Sequence, residues 1–328
     1  LRPLQPKTKN NEPRTKNLNA LARDLLPSRR FSPQSSPGFS PAPWKERRKK
    51  IGFRLHPQKS HLKTKNMKKT LLTLIGLAAM TAGGYGQTVV FTSNFTTSQG
   101  SSFTTSGAIG TSPWSVTRSG ADWGARIDNG ILELTNDASP TANADGWVFT
   151  SSPIASTGNF NTILSSSSGL VTWTLNMRQI RTDPAGFGSG SYGVAYILAG
   201  NGTISRTSGE GWAIVLGQTG STDPIRLAHF TGGLGGTLTN VITASTPLND
   251  IGNEYLSLRV NYNPSSNLWS LLGRSDGASS FTDPNTGTLS SLGNATDSTL
   301  VNTSLGITGA YWQGSTTANQ TAFFDNIS

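Results

Sequence analysis

The chain has 328 residues, 27 Lys and Arg against 17 Asp and Glu, a formal net charge of +10, and no cysteine. The missing thiol excludes disulfides, thiolate catalysis and thiolate metal sites. The charge is uneven: 19 of the basic residues lie in residues 1–69, while Thr88–Ser328 carries 8 Arg and no Lys against 14 Asp and Glu, a net of −6, so that part offers no basic surface to nucleic acid.

In chain order, residues 1–66 are rich in Pro, Lys and Arg and poor in apolar clusters, the composition of a disordered segment that cannot bury a core. Met67 is the first methionine. Lys68 and Lys69, the apolar run Leu71–Met80 and the small residues Ala82, Gly83, Gly84 and Gly86 follow it. That is the three-part layout of a secretory signal peptide, and the run is short for a membrane span. The expected organisation is therefore upstream read-through at 1–66, a signal-peptide helix at 67–86 cut after Gly86, and an exported domain at 87–328 that is not inserted in a membrane.

From Val89 on, short segments rich in Val, Ile, Thr and aromatics alternate with Gly-, Asn-, Asp- and Pro-rich turns, and no convincing helix interrupts them. Strands are expected at Val89–Phe95, Ser115–Arg118, Ile131–Thr135, Trp147–Thr150 and 170–178. Further strands are expected at Gly193–Ala199, Gly211–Gly217, Ile225–Thr231, Tyr255–Tyr262, Leu268–Gly273, Leu305–Trp312 and Thr321–Ile327. Asp128-Asn129-Gly130 is a tight-turn signal, and the three Thr-Asp-Pro triplets at 182–184, 222–224 and 282–284 read as turn chemistry. Many short strands without helices imply a two-sheet antiparallel β-sandwich. In 170–178, Val171, Trp173, Leu175 and Met177 face in. In 255–262, Leu256, Leu258, Val260 and Tyr262 do the same. The opposite rows, with Asn176 and Arg178 on one strand and Arg259 on the other, are expected to share one open polar face. Gly193–Ala199 is apolar on both faces, as for a strand covered on both sides. The chain ends within a strand-like run, Phe323-Phe324 included, which suggests that more protein follows Ser328.

Catalytic motifs fail on inspection. Gly188–Gly193 spells a dinucleotide fingerprint, but a strand follows it where the chemistry needs a helix N-terminus. Gly273-Arg-Ser-Asp-Gly277 spells a nucleophile elbow, yet His229, the sole histidine after Met67, precedes Ser275 where that fold needs it after, and Ser-Asp-Gly reads as a turn. Glycoside hydrolysis needs two carboxylates about 5–10 Å apart, and Glu133, Glu210 and Glu254 have no carboxylate partner on the same strand face. Asp137, Asn143 and Asp145 form an oxygen-rich loop, the candidate site for calcium. Trp312, in Gly309-Ala-Tyr-Trp-Gln-Gly314, is placed near a loop.

The blocks Ala121–Gly130, Trp173–Gly193, Asp223–Arg226, Tyr311–Gly314 and Ala322–Asn326 resemble concanavalin A-like (laminin-G-like) jelly-roll modules, more narrowly those of secreted, often multidomain proteins of Bacteroidota and related bacteria. The resemblance covers nearly all of 88–328. It implies two antiparallel sheets and a glycan-binding or adhesive role on a cell surface. The Glu-x-Asp-x-x-Glu strand of the family's glucanases is missing, which implies a non-catalytic member. The expectation is a module contacting a glycan or cell-surface polymer through Asn176, with Arg178 and Arg259 as donors and Tyr192 and Trp312 as stacking rings, and with calcium the one candidate cofactor. A structural spacer or adhesin domain of a larger surface protein is the alternative, and a hydrolase the third.

Overall fold

Alternating apolar residues become strands when one face can be covered. A computed structural model describes residues 88–96, 98–99, 101–139, 145–154, 163–165, 167–314 and 320–328. The chain divides into two units, Leu1–Ala82 and Gly83–Ser328, and every described residue lies in the second. The expected leader, signal segment and cleavage point fall outside the described residues, as does Asn143. Among the described residues no helix is long and apolar enough to cross a membrane.

Fifteen strands are described: β1 (Gly107–Ala108), β2 (Ser115–Ser119), β3 (Gly124–Asp128), β4 (Ile131–Thr135), β5 (Gly146–Pro153), β6 (Val171–Arg178), β7 (Gly193–Asn201), β8 (Glu210–Leu216), β9 (Ile225–Thr231), β10 (Thr237–Thr243), β11 (Tyr255–Asn263), β12 (Leu268–Gly277), β13 (Ser290–Thr296), β14 (Ile307–Gly314) and β15 (Thr321–Asp325). They form an eight-stranded sheet, β1-β2-β5-β14-β7-β8-β9-β10, and a seven-stranded sheet, β13-β12-β11-β6-β15-β4-β3. Neighbouring strands within each sheet are antiparallel. The protein is a two-sheet antiparallel β-sandwich, as its strand grammar implies.

The inward rows meet in one core. Trp173, Leu175 and Met177 of β6 and Leu256, Leu258, Val260 and Tyr262 of β11 pack with Val194, Tyr196, Trp212, Ile214 and Trp312 of the other sheet. Each large side chain so buried contributes about 1.5–3 kcal/mol. A second apolar cluster lies on the outer face of the eight-stranded sheet. There Phe149, Ala195, Ile197, Val215, Phe230 and Tyr311 are roofed by Phe187, Ile204 and Leu234 from connecting segments. This roof is why β7 is buried on both faces.

The β3–β4 turn uses Asn129 and Gly130 at φ 49° and 80°. These left-handed values suit the twist of a two-residue hairpin, and Asn-Gly adopts them at low cost. Elsewhere the strand expectations need correction. Val89–Phe95 forms no strand; only Ser93 bridges to Ile327, through backbone bonds of 2.7 and 2.9 Å. Ser275-Asp276-Gly277 is no turn, since β12 continues through it with Ser275 opposite Leu256. Four strands, β1, β3, β10 and β13, were not expected, and all four are sheet edges.

Candidate functional site

The polar rows of β6 and β11 are neighbours on the outer face of the seven-stranded sheet, with Asn176 opposite Ser257 and Thr174 opposite Arg259. Over β6, β11 and β12 part of that face is closed, because the segment between β12 and β13 folds back onto Asn176, Ser257 and Arg259. Asn176 is wholly buried. Its Nδ2 donates to Ser257 Oγ at 3.0 Å, Leu256 O at 3.1 Å and Thr282 O at 3.0 Å, and its Oδ1 accepts from Asn326 Nδ2 at 2.8 Å. With both amide atoms engaged, Asn176 braces the sheet to the covering segment and presents nothing to a ligand. Arg259 is half-buried, and its Nη2 lies 3.4 and 3.5 Å from Pro284 O and Asn285 Oδ1 of the same segment.

The two expected stacking rings are elsewhere. Trp312 is wholly buried and Tyr192 nearly so. Their rings meet edge-on at 6.2 Å, and Trp123 lies 5.0 Å from Trp312 on another side. Trp312 belongs to the central strand β14, not to a loop, so its ring serves the core and not a ligand.

Arg178, the last residue of β6, is different. Its guanidinium lies 4.2 Å from the Tyr255 ring centroid and 5.8 Å from that of Phe323. Nε donates to Asn253 O at 2.8 Å and Nη1 to Tyr255 Oη at 3.0 Å. Phe281, from the covering segment, meets the Tyr255 ring edge-on at 4.7 Å. Arg178, Tyr255, Phe281 and Phe323 are all half-buried, so each keeps some surface. Fixed rings beside a pinned guanidinium form a platform with flat apolar patches and charged hydrogen-bond donors. Sequence reasoning found Arg178 and missed the three aromatics. Tyr255 lies in the outward row of β11 with Arg259, and Phe323 figured in the sequence only as part of the strand-like run that ends the chain.

Asp325 adjoins the platform on β15, opposite Asn176. Burial pushes its carboxyl up to about 6, with nearby Asp283 adding to the shift and the Asn326 amide opposing it. The folded protein therefore holds a proton that the unfolded chain, with a carboxyl near 3.8, releases. That stabilisation is full below about pH 4 and is lost as pH rises through about 6. Between pH 4.5 and 7 the melting temperature of the wild type is expected to fall by a few degrees more than that of Asp325→Asn, which calorimetry across pH would show. Parallel curves would refute this.

A second polar cluster ties together segments at one end of the eight-stranded sheet. Asp145 and Arg206 form a bidentate pair at 2.7 and 2.8 Å, and the guanidinium holds the Asp145 carboxyl below the usual carboxylate range. Ser189 Oγ and Gly190 N also donate to Asp145, at 3.2 and 3.4 Å. Gln313 links Arg206 to Gly188 O. Both carboxylate oxygens of Asp145 thus bond Arg206. Asp137 is exposed, and no group of three His, Cys, Asp or Glu suited to a metal occurs among the described residues.

The three glutamates among the described residues also have partners: Glu133 pairs with Arg126 at 2.7 Å, Glu210 with Asn201 at 2.7 Å and Glu254 with the Gly252 amide at 2.9 Å. His229 lies 3.6 Å from Asp297 and edge-on to Trp212.

No protein-family model matches the chain. No curated protein matches it either. Among solved structures it is similar to peanut lectin with a nonamer peptide, at 16% identity over 69% of this chain and 96% of that one, with a TM-score of 0.37. It is also similar to the potassium-bound carbohydrate recognition domain of Emp46p, at 12% identity over 66% and 88%, with a TM-score of 0.40. A legume lectin-like domain from Entamoeba histolytica matches at 7% identity over 65% and 88%, with a TM-score of 0.38. The class of the present chain, an all-β two-layer sandwich, follows from its own strand order.

Proposed function

We propose that the chain is a secreted, non-catalytic β-sandwich module that binds glycans or cell-surface polymers. The observation that carries this reading is the Arg178 guanidinium held between the rings of Tyr255 and Phe323 on a sheet face. Pyranose rings have an apolar face and a rim of hydroxyls, and such a surface offers partners for both. The signal-like segment at 67–86 supports export to the cell surface, and the engagement of Glu133, Glu210 and Glu254, the glutamates among the described residues, supports a binding role over hydrolysis.

The test is binding of the purified chain to a panel of soluble and insoluble polysaccharides and isolated cell walls. At least one is expected to be retained, with affinity lowered about tenfold or more by Arg178→Ala and by Tyr255→Ala, and no reducing sugar released. A blank panel, or retention indifferent to both substitutions, would count against the reading.

A further inference from the structure

The platform is one end of a longer feature. β3, β4, β15, β6 and β11 are consecutive in the seven-stranded sheet. Their register sets Arg126 opposite Glu133, Glu133 opposite Phe323, and Phe323 opposite Arg178, and Tyr255 lies beside Arg178. Each is an outward residue, because its strand neighbours Ala125, Leu132, Phe324, Met177 and Leu256 are buried in the core. One continuous row thus crosses five strands, about 19 Å at the usual strand spacing of about 4.8 Å. At the far end the Phe103 ring lies 4.4 Å from the Arg126 guanidinium. Thr104 fixes Phe103 there by pairing with Ala125 through backbone bonds of 2.7 and 2.9 Å. The arginine-on-aromatic unit of the platform therefore occurs twice, at the two ends of the row, with Phe323 between.

We infer that this row binds a neutral linear polysaccharide laid across the strands, several sugars at a time, and not a single terminal sugar. The inference rests on the glycan-binding reading above and names its ligand class. One sugar ring needs one aromatic patch and a few donors, whereas a patch repeated along one row matches a ligand that is itself a repeat. The row is nearly neutral, since Arg126 is paired with Glu133 at 2.7 Å and lies 3.7 Å from Asp128, and among the described residues of the row only Arg178 is a cation without a carboxylate partner. A polyanion would need more uncompensated cations than that.

The experiment is calorimetric titration of the full chain with β-1,4-glucan, β-1,3-glucan, xylan and mannan oligosaccharides, each from a single sugar to a hexasaccharide, and with polygalacturonate oligomers as the acidic arm. For at least one neutral series, affinity is expected to rise about tenfold or more from disaccharide to hexasaccharide. Phe103→Ser and Arg126→Gln should each lower hexasaccharide affinity about tenfold while leaving disaccharide affinity unchanged, and Arg178→Ala should lower both. The two far-end variants guard against loss of fold, since melting temperatures are read in parallel and Phe103→Ser leaves the Arg126–Glu133 pair intact. A disaccharide bound as tightly as the hexasaccharide, and still dependent on Arg178, would overturn the extended site but leave a single-sugar site standing. A preference for the acidic oligomers would overturn the neutral chain as ligand. If no oligosaccharide binds in a manner sensitive to Arg178→Ala, both readings fall.

Discussion

Trp269→Ala is expected to lower the melting temperature by about 10 °C, the largest effect of any single core truncation in this protein. Trp269 of β12 is wholly buried and stacks on Trp212 of β8, 4.4 Å away at 29° between planes. Trp173 lies on another side at 5.7 Å and 21°, and Tyr262 at 4.4 Å. Trp212 belongs to one sheet and the other three rings to the opposite one, so the stack joins the two layers. The indole also donates to Asp297 O at 2.9 Å, an acceptor that the substitution strands. Truncating a buried tryptophan costs about 3–5 kcal/mol, part transfer energy and part unfilled cavity. For a domain of this size each kcal/mol moves the midpoint by about 2–4 °C. Trp269→Phe keeps one ring in the stack and should cost about half as much. Scanning calorimetry decides it: a shift under about 2 °C for the alanine variant would show that the stack does not hold the sheets together.

The parts of this architecture that were legible in the sequence are those that bury one face against the other sheet. β6 and β11 show clean period-2 rows because their inward side chains are large and consecutive. The edge strands β10 and β13 were missed because little of each is buried. β13 places only Leu292 wholly in the core, and a bulge between Asn240 and Ile242 breaks the alternation of β10. Trp312 misled for a different reason. Gly309 and Gly314 flank it and suggest a loop, yet a Cβ at Gly309 would lie 2.5 Å from Phe149 and from the Thr150 carbonyl. That glycine is there for close packing inside a strand, not for a turn. Asn176 points outward, as its period says, but a segment about 100 residues later in the chain closes over it, and no local pattern reports that. The platform is invisible for the same reason. Arg178, Tyr255, Phe281 and Phe323 meet only through strand register and that covering segment.

Asp276→Ala is the substitution expected to couple stability to binding, because Asp276 is the anchor of the covering segment. Its carboxylate, 1% exposed, accepts from Ser257 Oγ at 2.6 Å, from the Thr282 amide at 3.0 Å and from Arg274 Nε at 2.8 Å. Arg274 in turn donates to the carbonyls of Asp283 and Thr286. Removing one partner of a buried ion pair costs about 3–5 kcal/mol, chiefly from the charge left behind. Arg274 retains those carbonyls and some solvent, so the low end of that range applies. The loss should fall first on residues 278–288 and hence on Phe281, which loses its fixed position against Tyr255. Hexasaccharide affinity is expected to drop about tenfold in Asp276→Ala. Asp276→Asn, which keeps the shape and one acceptor oxygen, should lose less of both. Phe281→Ala separates the two effects, since it should reproduce the affinity loss with little change in melting temperature. An Asp276→Ala protein that melts several degrees lower yet binds as before would show that the covering segment braces the sheet without shaping the ligand surface.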